Sequence, residues 1–273
     1  MLAGRLGVGL VVSRRVEDLS NQARKAAEEG IERLLVVGGD GTMHHAVQGL
    51  AGTSTALAAI PTGTGNDLAR ALGVPRGLEA AVRYALTAPV RQIDLIRTGS
   101  AVCVGYAGMG FDSEVTRVAN RIRRFRGPWI YPWAALRTLL GFAPPRARIS
   151  WDGGAAGASY EGAIMLVDAA NLPTYGGGMQ IAPSAEIDDG LLDLVIVKAV
   201  SGLTFLRVFP KVYKGGHIGH PCFVTARARR VEMELSEEME LFGGGEPIRR
   251  VEAGEKVVLE VWAGGLAAVG PLP

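Results

Sequence analysis

The chain has 273 residues, 48% hydrophobic and 21% charged, with a formal net charge of +2. That is apolar material for one large or two ordinary domain cores, and so small a charge excess does not by itself call for nucleic acid or an anionic surface. Two cysteines without metal-ligand spacing, Cys103 and Cys222, fit a reduced, cytosolic chain, and no stretch supplies the roughly 20 predominantly apolar residues of a membrane span.

The first third alternates apolar runs with helical patterns. Gly7–Val12 reads as a strand, too short for a signal peptide and followed by no clear cleavage site. Val16–Glu29, rich in Ala, Glu and Lys, reads as a helix stopped by Gly30. Strand Leu34–Val37, helix Thr42–Leu50 and strand Leu57–Ile60 follow. Asp67–Leu72 is helical and closes at Gly73; Leu78–Leu86 is a further helix ended by Pro89. This β-α-β-α-β rhythm predicts a parallel sheet with right-handed crossovers.

Two of these strands run directly into glycine-rich loops. The first loop is Gly38-Gly39-Asp40-Gly41-Thr42 and the second is Pro61-Thr62-Gly63-Thr64-Gly65-Asn66-Asp67. Ligands of open α/β sheets bind beyond the carboxyl ends of the strands. Glycines let backbone N–H groups approach phosphate, and the helix that follows favours negative charge at its start. A carboxylate among such amides repels phosphate unless a cation accompanies it, so Asp40 and Asp67 predict a nucleotide phosphate and Mg²⁺ site. Plainer readings stand beside this one: Asp40 in an ordinary αβ turn, Thr42 as a helix cap, Asn66 or Asp67 as the cap of the next helix. Neither loop is the dinucleotide fingerprint or a P-loop.

After about Arg91 the rhythm changes. Arg91–Arg97 and Ala101–Ala107 read as strands, Ser113–Arg124 and Ile130–Leu140 as helices. Tyr160–Val167, Leu191–Val197, Phe223–Leu235 and Lys256–Trp262 read as strands with glycine turns, interrupted by a helix over Leu203–Tyr213 with Ser201 as N-cap. The expected division is an α/β nucleotide-binding domain over residues 1–92 and a mostly antiparallel β-sandwich substrate domain over 93–273, the last residues returning to the first domain.

In these motifs the sequence resembles the diacylglycerol kinase catalytic family, shared by bacterial soluble lipid kinases and by sphingosine and ceramide kinases. The likeness rests on Gly38–Thr42 and Pro61–Ala69, and continues in Ile93-Asp94-Leu95, Gly108-Met109-Gly110-Phe111-Asp112 and Asn171. It is strong again in Tyr175-Gly176-Gly177-Gly178-Met179, Ile181-Ala182-Pro183 and Asp188–Asp193. NAD kinases share the first loop but not the second. The resemblance implies an α/β nucleotide domain, a C-terminal β-sandwich and a cleft between them. It implies transfer of the γ-phosphoryl group of ATP to the hydroxyl of diacylglycerol or a similar lipid alcohol, a reaction that is mostly positioning and charge neutralisation. By the same resemblance Asp40, Asp67 and Asp94 belong to an aspartate–water–Mg²⁺ network, and both glycine loops cradle phosphates. A second, structural Mg²⁺ would sit on Asp189 with the carbonyls of Glu186 and Leu191. The bland reading of Asp188-Asp189-Gly190 is a hairpin turn, which Asp-Gly suits in any case.

Three departures from the family pattern stand out. The family's opening strand and Asn-Pro-x-Ser-Gly loop have no counterpart, so an open sheet edge is expected. Met43-His44-His45 replaces Leu-Asn-Glu; adjacent helical residues point about 100° apart, which predicts two exposed histidines and not a chelate. Gly244-Gly245-Glu246-Pro247 replaces Asp-Gly-Glu-Pro, removing the usual general base, a loss that typically costs about 10²–10⁴-fold in rate. Glu246 is the surviving carboxylate and joins Asp40 and Asp67 as a catalytic candidate. The alternative is an impaired family member that binds nucleotide or lipid without turnover; a kinase of a soluble substrate such as NAD is the second rival.

No acidic residue lies between Glu114 and Asp152, while Arg117, Arg121, Arg123, Arg124, Arg126, Arg137, Arg146 and Arg148 alternate with Phe125, Trp129, Tyr131 and Trp133. Cationic side chains among Trp and Tyr suit an anionic membrane interface; a solvated basic helix with its aromatics on the core is the equal alternative. No nucleic-acid motif accompanies the patch. The expectation is a cytoplasmic protein, peripheral to the inner face of the membrane through residues 117–148, acting on a membrane-resident lipid alcohol, with a homodimer left open.

Overall fold

The computed structural model describes residues 9–13, 15, 17–121, 130–152 and 158–272. Helix α1 (Glu17–Glu28) leads into β1 (Arg33–Gly38), α2 (Asp40–Leu50), β2 (Ala56–Pro61), α3 (Asp67–Ala71), α4 (Leu78–Thr87) and β3 (Val90–Thr98). β1 and β2 pair in parallel from Arg33↔Ala56 to Gly38↔Pro61. All of β2 from Ala56 to Ile60 is buried. Its alternate side chains divide between two cores: Leu57 and Ala59 pack with α1 and α2, while Ala56, Ala58 and Ile60 pack against Ala81 and Ala85 of α4. A strand covered on both faces needs apolar residues at every position, hence the unbroken run Ala56–Ile60. Complete burial of a Leu57-sized side chain contributes about 1.5–3 kcal/mol.

The second half consists of β4 (Ala101–Cys103), β5 (Tyr106–Gly110), α5 (Phe111–Arg121), α6 (Ile130–Leu139), β6 (Arg146–Trp151), β7 (Ser159–Ala170), β8 (Leu192–Lys198), α7 (Gly202–Val212), β9 (Phe223–Ala228), β10 (Arg230–Leu235), β11 (Met239–Gly243), β12 (Glu246–Val251) and β13 (Lys256–Val269). Its strands pair antiparallel around a core that includes Met109, Ile149, Ile164, Val167, Leu194, Ile196, Met233 and Leu241. This α/β domain joined to a β-sandwich is the fold class expected from the sequence. Strand β13 links the halves. Its start pairs with β10, and its end lies between antiparallel β3 and parallel β2, where Ala268 meets Leu57. Ser201 caps α7, accepting from the Thr204 N–H at 3.2 Å.

Several expectations are corrected. Residues 9–13 join no strand, and Leu10, Val11 and Val12 are exposed; an apolar run becomes a strand only where a sheet edge takes its backbone groups. The expected strand Phe223–Leu235 is two strands, β9 on β8 and β10 on β6 and β13. The break is held by Asp152, whose Oδ1 accepts from the Arg229 and Arg230 amides at 2.8 and 2.7 Å. Likewise Ala101–Ala107 divides into β4 and β5 around Gly105, whose carbonyl accepts from the Asn171 amide at 2.8 Å.

Candidate active site

The two glycine loops touch backbone to backbone. A Cβ on Gly63 would stand 2.6 Å from the Gly39 Cα, and one on Gly39 would stand 3.1 Å from the Gly63 Cα. The Thr62 amide donates to the Gly38 carbonyl at 2.9 Å. Glycine at 39 and 63 is thus required by loop contact as well as by any ligand. Thr62, Gly63 and Thr64 are exposed, so their surface is free for one. Asn66 adopts the left-handed conformation (φ 54°). Its side chain does not cap α3; it closes the loop, accepting from the Gly63 N–H at 3.0 Å and donating to the Gly63 carbonyl at 2.7 Å.

The cap of α3 comes instead from Asp40. Its Oδ1 accepts from the amides of Asp67 at 2.7 Å and Leu68 at 3.4 Å. Asp67 is held in turn by Arg70 at 2.5 Å and by the Thr174 hydroxyl at 3.1 Å on Oδ1, and by the Gly177 amide at 3.2 Å on Oδ2. The remaining oxygen of Asp40 and Oδ2 of Asp67 both border Gly65, where a Cβ would stand 2.6 Å from the first and 3.3 Å from the second. Burial and the neighbouring Asp67 raise the Asp40 pKa. Two carboxylates turned on one glycine-lined space suit a hard divalent cation with oxygen ligands, so these two residues fit Mg²⁺. Thr42 lies inside the first turn of α2, with its side chain against Gly38.

The residues grouped with this pair on sequence grounds do not all join it. Asp94, buried on β3, gives Oδ2 to the Gly190 amide at 2.6 Å and Oδ1 to the Gly264 amide at 2.8 Å. With both oxygens taken by backbone, it fastens β3 to the loop before β8 and to β13. Asp189 forms an ion pair with Arg227 and accepts from the Leu191 amide at 2.9 Å, while Glu186 is exposed. Here Asp189 is paired with a guanidinium, as Asp67 is with Arg70. Among the described residues no cluster of three or more metal-ligating side chains occurs.

Sequence reasoning gave no role to Arg70, Thr174 or Gly177, although Arg70 lies three residues beyond Asp67, one helical turn away. The 174–177 loop is braced from behind. Tyr175 stacks on Tyr106 with ring centroids 4.1 Å apart, and its hydroxyl donates to Asp168 Oδ2 at 2.9 Å. Oδ1 of Asp168 and both oxygens of Asp112 are buried without partners. Burial raises both pKa values, that of Asp112 to about 6, and the charge of Asp112 adds to the rise at Asp168.

On the other side of α2 lies the hairpin of β11 and β12. Gly243 pairs with Glu246, leaving a two-residue turn with φ 60° at Gly244 and 85° at Gly245. Positive φ at both central positions is the type I′ pattern that favours Gly-Gly or Asp-Gly. Glu246 is half-buried over the start of α2, its Oε1 2.5 Å from where a Gly41 Cβ would be. Burial raises its pKa and His45 opposes the rise. The histidine expectation is corrected: His44 is buried, 8% exposed, because α2 turns it toward Gly244 and not toward solvent.

The diacylglycerol kinase catalytic domain family matches residues 5–98, and the YegS C-terminal NAD kinase beta sandwich-like domain family matches residues 105–261. A diacylglycerol kinase of Mycobacterium tuberculosis is 36% identical over 230 residues, covering 82% of this chain and 74% of the relative. One from Bacillus subtilis is 31% identical over 233 residues, covering 84% and 76%. The crystal structure of a diacylglycerol kinase from Bacillus anthracis str. Sterne shares the fold with a TM-score of 0.71 at 21% identity, over 96% of this chain and 84% of that one.

Proposed function

Because this chain belongs to the diacylglycerol kinase family, we propose that it transfers the γ-phosphoryl group of ATP to the hydroxyl of diacylglycerol or a similar lipid alcohol in the presence of Mg²⁺. The observation that carries the reading is that Asp40 Oδ2 and Asp67 Oδ2 both border Gly65, in the second of two glycine loops that touch at Gly39 and Gly63. Asp40 and Asp67 would hold Mg²⁺, which when bound supplies neutralisation of phosphate charge. The chain's own contribution is positioning. The exposed surface of residues 62–64, whose loop is shaped by the Thr62 and Gly63 amides bonding Gly38 and Asn66, would face the nucleotide. Arg70 fixes the Asp67 carboxylate and the Gly65 carbonyl together, at 2.5 and 2.7 Å. The 174–177 loop of the sandwich closes on Asp67, so substrate-domain and nucleotide-domain groups share one carboxylate.

Docking at a cytoplasmic membrane face is part of the proposal. No helix among the described residues is long and apolar enough to cross a bilayer. Trp133, Leu136 and Leu140 are exposed on and just beyond α6, and Leu203 and Leu206 on α7, with Gly202 against Leu139. Arg137 lies over the Trp133 ring at 5.8 Å. Apolar and aromatic side chains rimmed by cations suit an anionic bilayer surface. Residues 122–129 of the basic segment lie outside the described residues. Flotation with vesicles tests this: binding to anionic vesicles that Trp133→Ala with Leu203→Ser reduces supports it, and equal recovery of wild type and variant contradicts it. The chemistry is tested by following label from γ-phosphate-labelled Mg²⁺-ATP into lipid in mixed micelles. Bound nucleotide without labelled lipid would favour the non-catalytic alternative.

A further inference from the structure

We propose that the imidazole of His44 is the proton acceptor for the substrate hydroxyl, acting from helix α2 in the space that a side chain at position 244 would otherwise fill. The inference rests on the kinase reading above. His44 follows Asp40 by four residues and so shares its face of α2; this puts the ring on the side of the helix that carries the Asp40 carboxylate. A Cβ on Gly244 would stand 3.0 Å from His44 Nδ1 and 3.6 Å from the His44 Cβ and Cγ. Ring and absent side chain thus claim one volume, one helical turn beyond Asp40.

The ring has an unsatisfied nitrogen. Nδ1 is buried and has no hydrogen-bond partner, an arrangement that is uncommon in folded proteins and demands a cause. Burial, with His45 adding to it, lowers the His44 pKa to about 4, so the ring is neutral at pH 7. The titratable neighbours on this face are His45, whose ring meets that of His44 edge-on at 5.6 Å, and Glu246, which couples to His45. Glu246 itself lies against Gly41, at the start of α2, away from the Gly244 Cβ position that the His44 ring borders. A hydroxyl presented over the Gly244–Gly245 turn supplies the donor that Nδ1 lacks. As its oxygen bonds to the γ-phosphorus, the bond from that phosphorus to the β–γ bridging oxygen breaks and the nucleoside diphosphate leaves. The hydroxyl proton passes to His44 Nδ1 and from there to water.

Four proteins test this with Mg²⁺-ATP and diacylglycerol in mixed micelles: wild type, His44→Asn, Gly244→Asp, and the double variant. His44→Asn is expected to lower kcat by roughly 10²–10⁴-fold with KM for ATP within about twofold. Gly244→Asp alone gives no gain, because its side chain meets the imidazole. The double variant, with room for the carboxylate, recovers about tenfold or more over His44→Asn. A kcat for His44→Asn within about threefold of wild type, or a full gain from Gly244→Asp alone, overturns the proposal while leaving the kinase reading intact. A wild type that binds Mg²⁺-ATP but phosphorylates no lipid overturns both. If His44→Asn does not fold, ¹⁵N-histidine NMR of the wild type decides: unprotonated Nδ1 at pH 7 is expected, and a protonated Nδ1 refutes the role.

Discussion

Replacing Gly65 by alanine probes the space between the two carboxylates with a single methyl group. Gly65 does not lie in the left-handed region, so the backbone accepts alanine and only the new methyl matters. It would stand 2.6 Å from Asp40 Oδ2, where ordinary contact begins near 3.4 Å; the carboxylate must retreat by about 0.8 Å. That retreat strains the bonds from Asp40 Oδ1 to the Asp67 and Leu68 amides at 2.7 and 3.4 Å and fills the proposed cation space. Loss of one hydrogen bond to a charged group costs about 1.5–3 kcal/mol, equivalent to roughly 10- to 150-fold in affinity. Isothermal titration with Mg²⁺ and a non-hydrolysable ATP analogue, beside thermal unfolding, measures both consequences. The control is Gly141→Ala, where nothing lies within 4 Å of the added Cβ. A Gly65→Ala protein that folds normally and binds Mg²⁺-nucleotide within about twofold of wild type would refute the reasoning, because the ligand would then not use that space.

Other consequences separate structural from chemical roles. Asp40→Ala removes a tertiary helix cap and should cost about 1 kcal/mol as well as Mg²⁺-dependent nucleotide affinity. Asp40→Asn keeps an acceptor for the Asp67 and Leu68 amides and should lose only the affinity; unfolding curves and titrations tell them apart. The raised pKa values of Asp112 and Asp168 mean that the native state holds more protons than the unfolded chain between about pH 4 and 6. Their contribution to stability is therefore greatest below about pH 4 and falls as pH rises through that window. Because burial raises the Asp112 pKa, Asp112→Asn should stabilise the protein at pH 7.5 and flatten its pH dependence; a destabilised variant with unchanged slope would contradict this. Arg227, which pairs with Asp189 and approaches Asp193 at 3.7 Å, should make the 186–191 loop indifferent to metal. EDTA should leave the nucleotide-free unfolding temperature unchanged, whereas Arg227→Ala should lose up to about 1 kcal/mol that millimolar Mg²⁺ restores. A wild-type protein destabilised by EDTA would show that the guanidinium does not replace a cation there.

How much the sequence discloses depends on whether a feature is local. The apolar run 56–60 flanked by loops can only be a strand covered on both faces, and the alternation of such runs with helices carries the α/β half. The end of β13 shows no local sign of its two neighbours, because its place between β2 and β3 is decided by the sheet. Leu10–Val12 look like a strand, but an edge must accept them, and no local pattern tells whether one does. Within the site, the Asp40 and Asp67 loops stand out by composition, whereas the use of Asp40 as a cap for α3 joins residues 27 apart. Asp94 looks the same on paper whether it binds water around a cation or two backbone amides; only the fold brings Gly190 and Gly264 to it. The burial of His44 is likewise non-local. Helical geometry fixes its face relative to Asp40, but the glycine that leaves room for it lies 200 residues away.

The central claim is phosphoryl transfer to a lipid hydroxyl at the meeting of the two glycine loops. Its most direct test is transfer of label from γ-phosphate-labelled Mg²⁺-ATP into chloroform-extractable product in mixed micelles of diacylglycerol, with wild type and Asp67→Asn side by side. The account predicts a labelled lipid phosphate from the wild type and its loss in Asp67→Asn. Bound nucleotide with no labelled lipid from any member of a panel of lipid alcohols would contradict it.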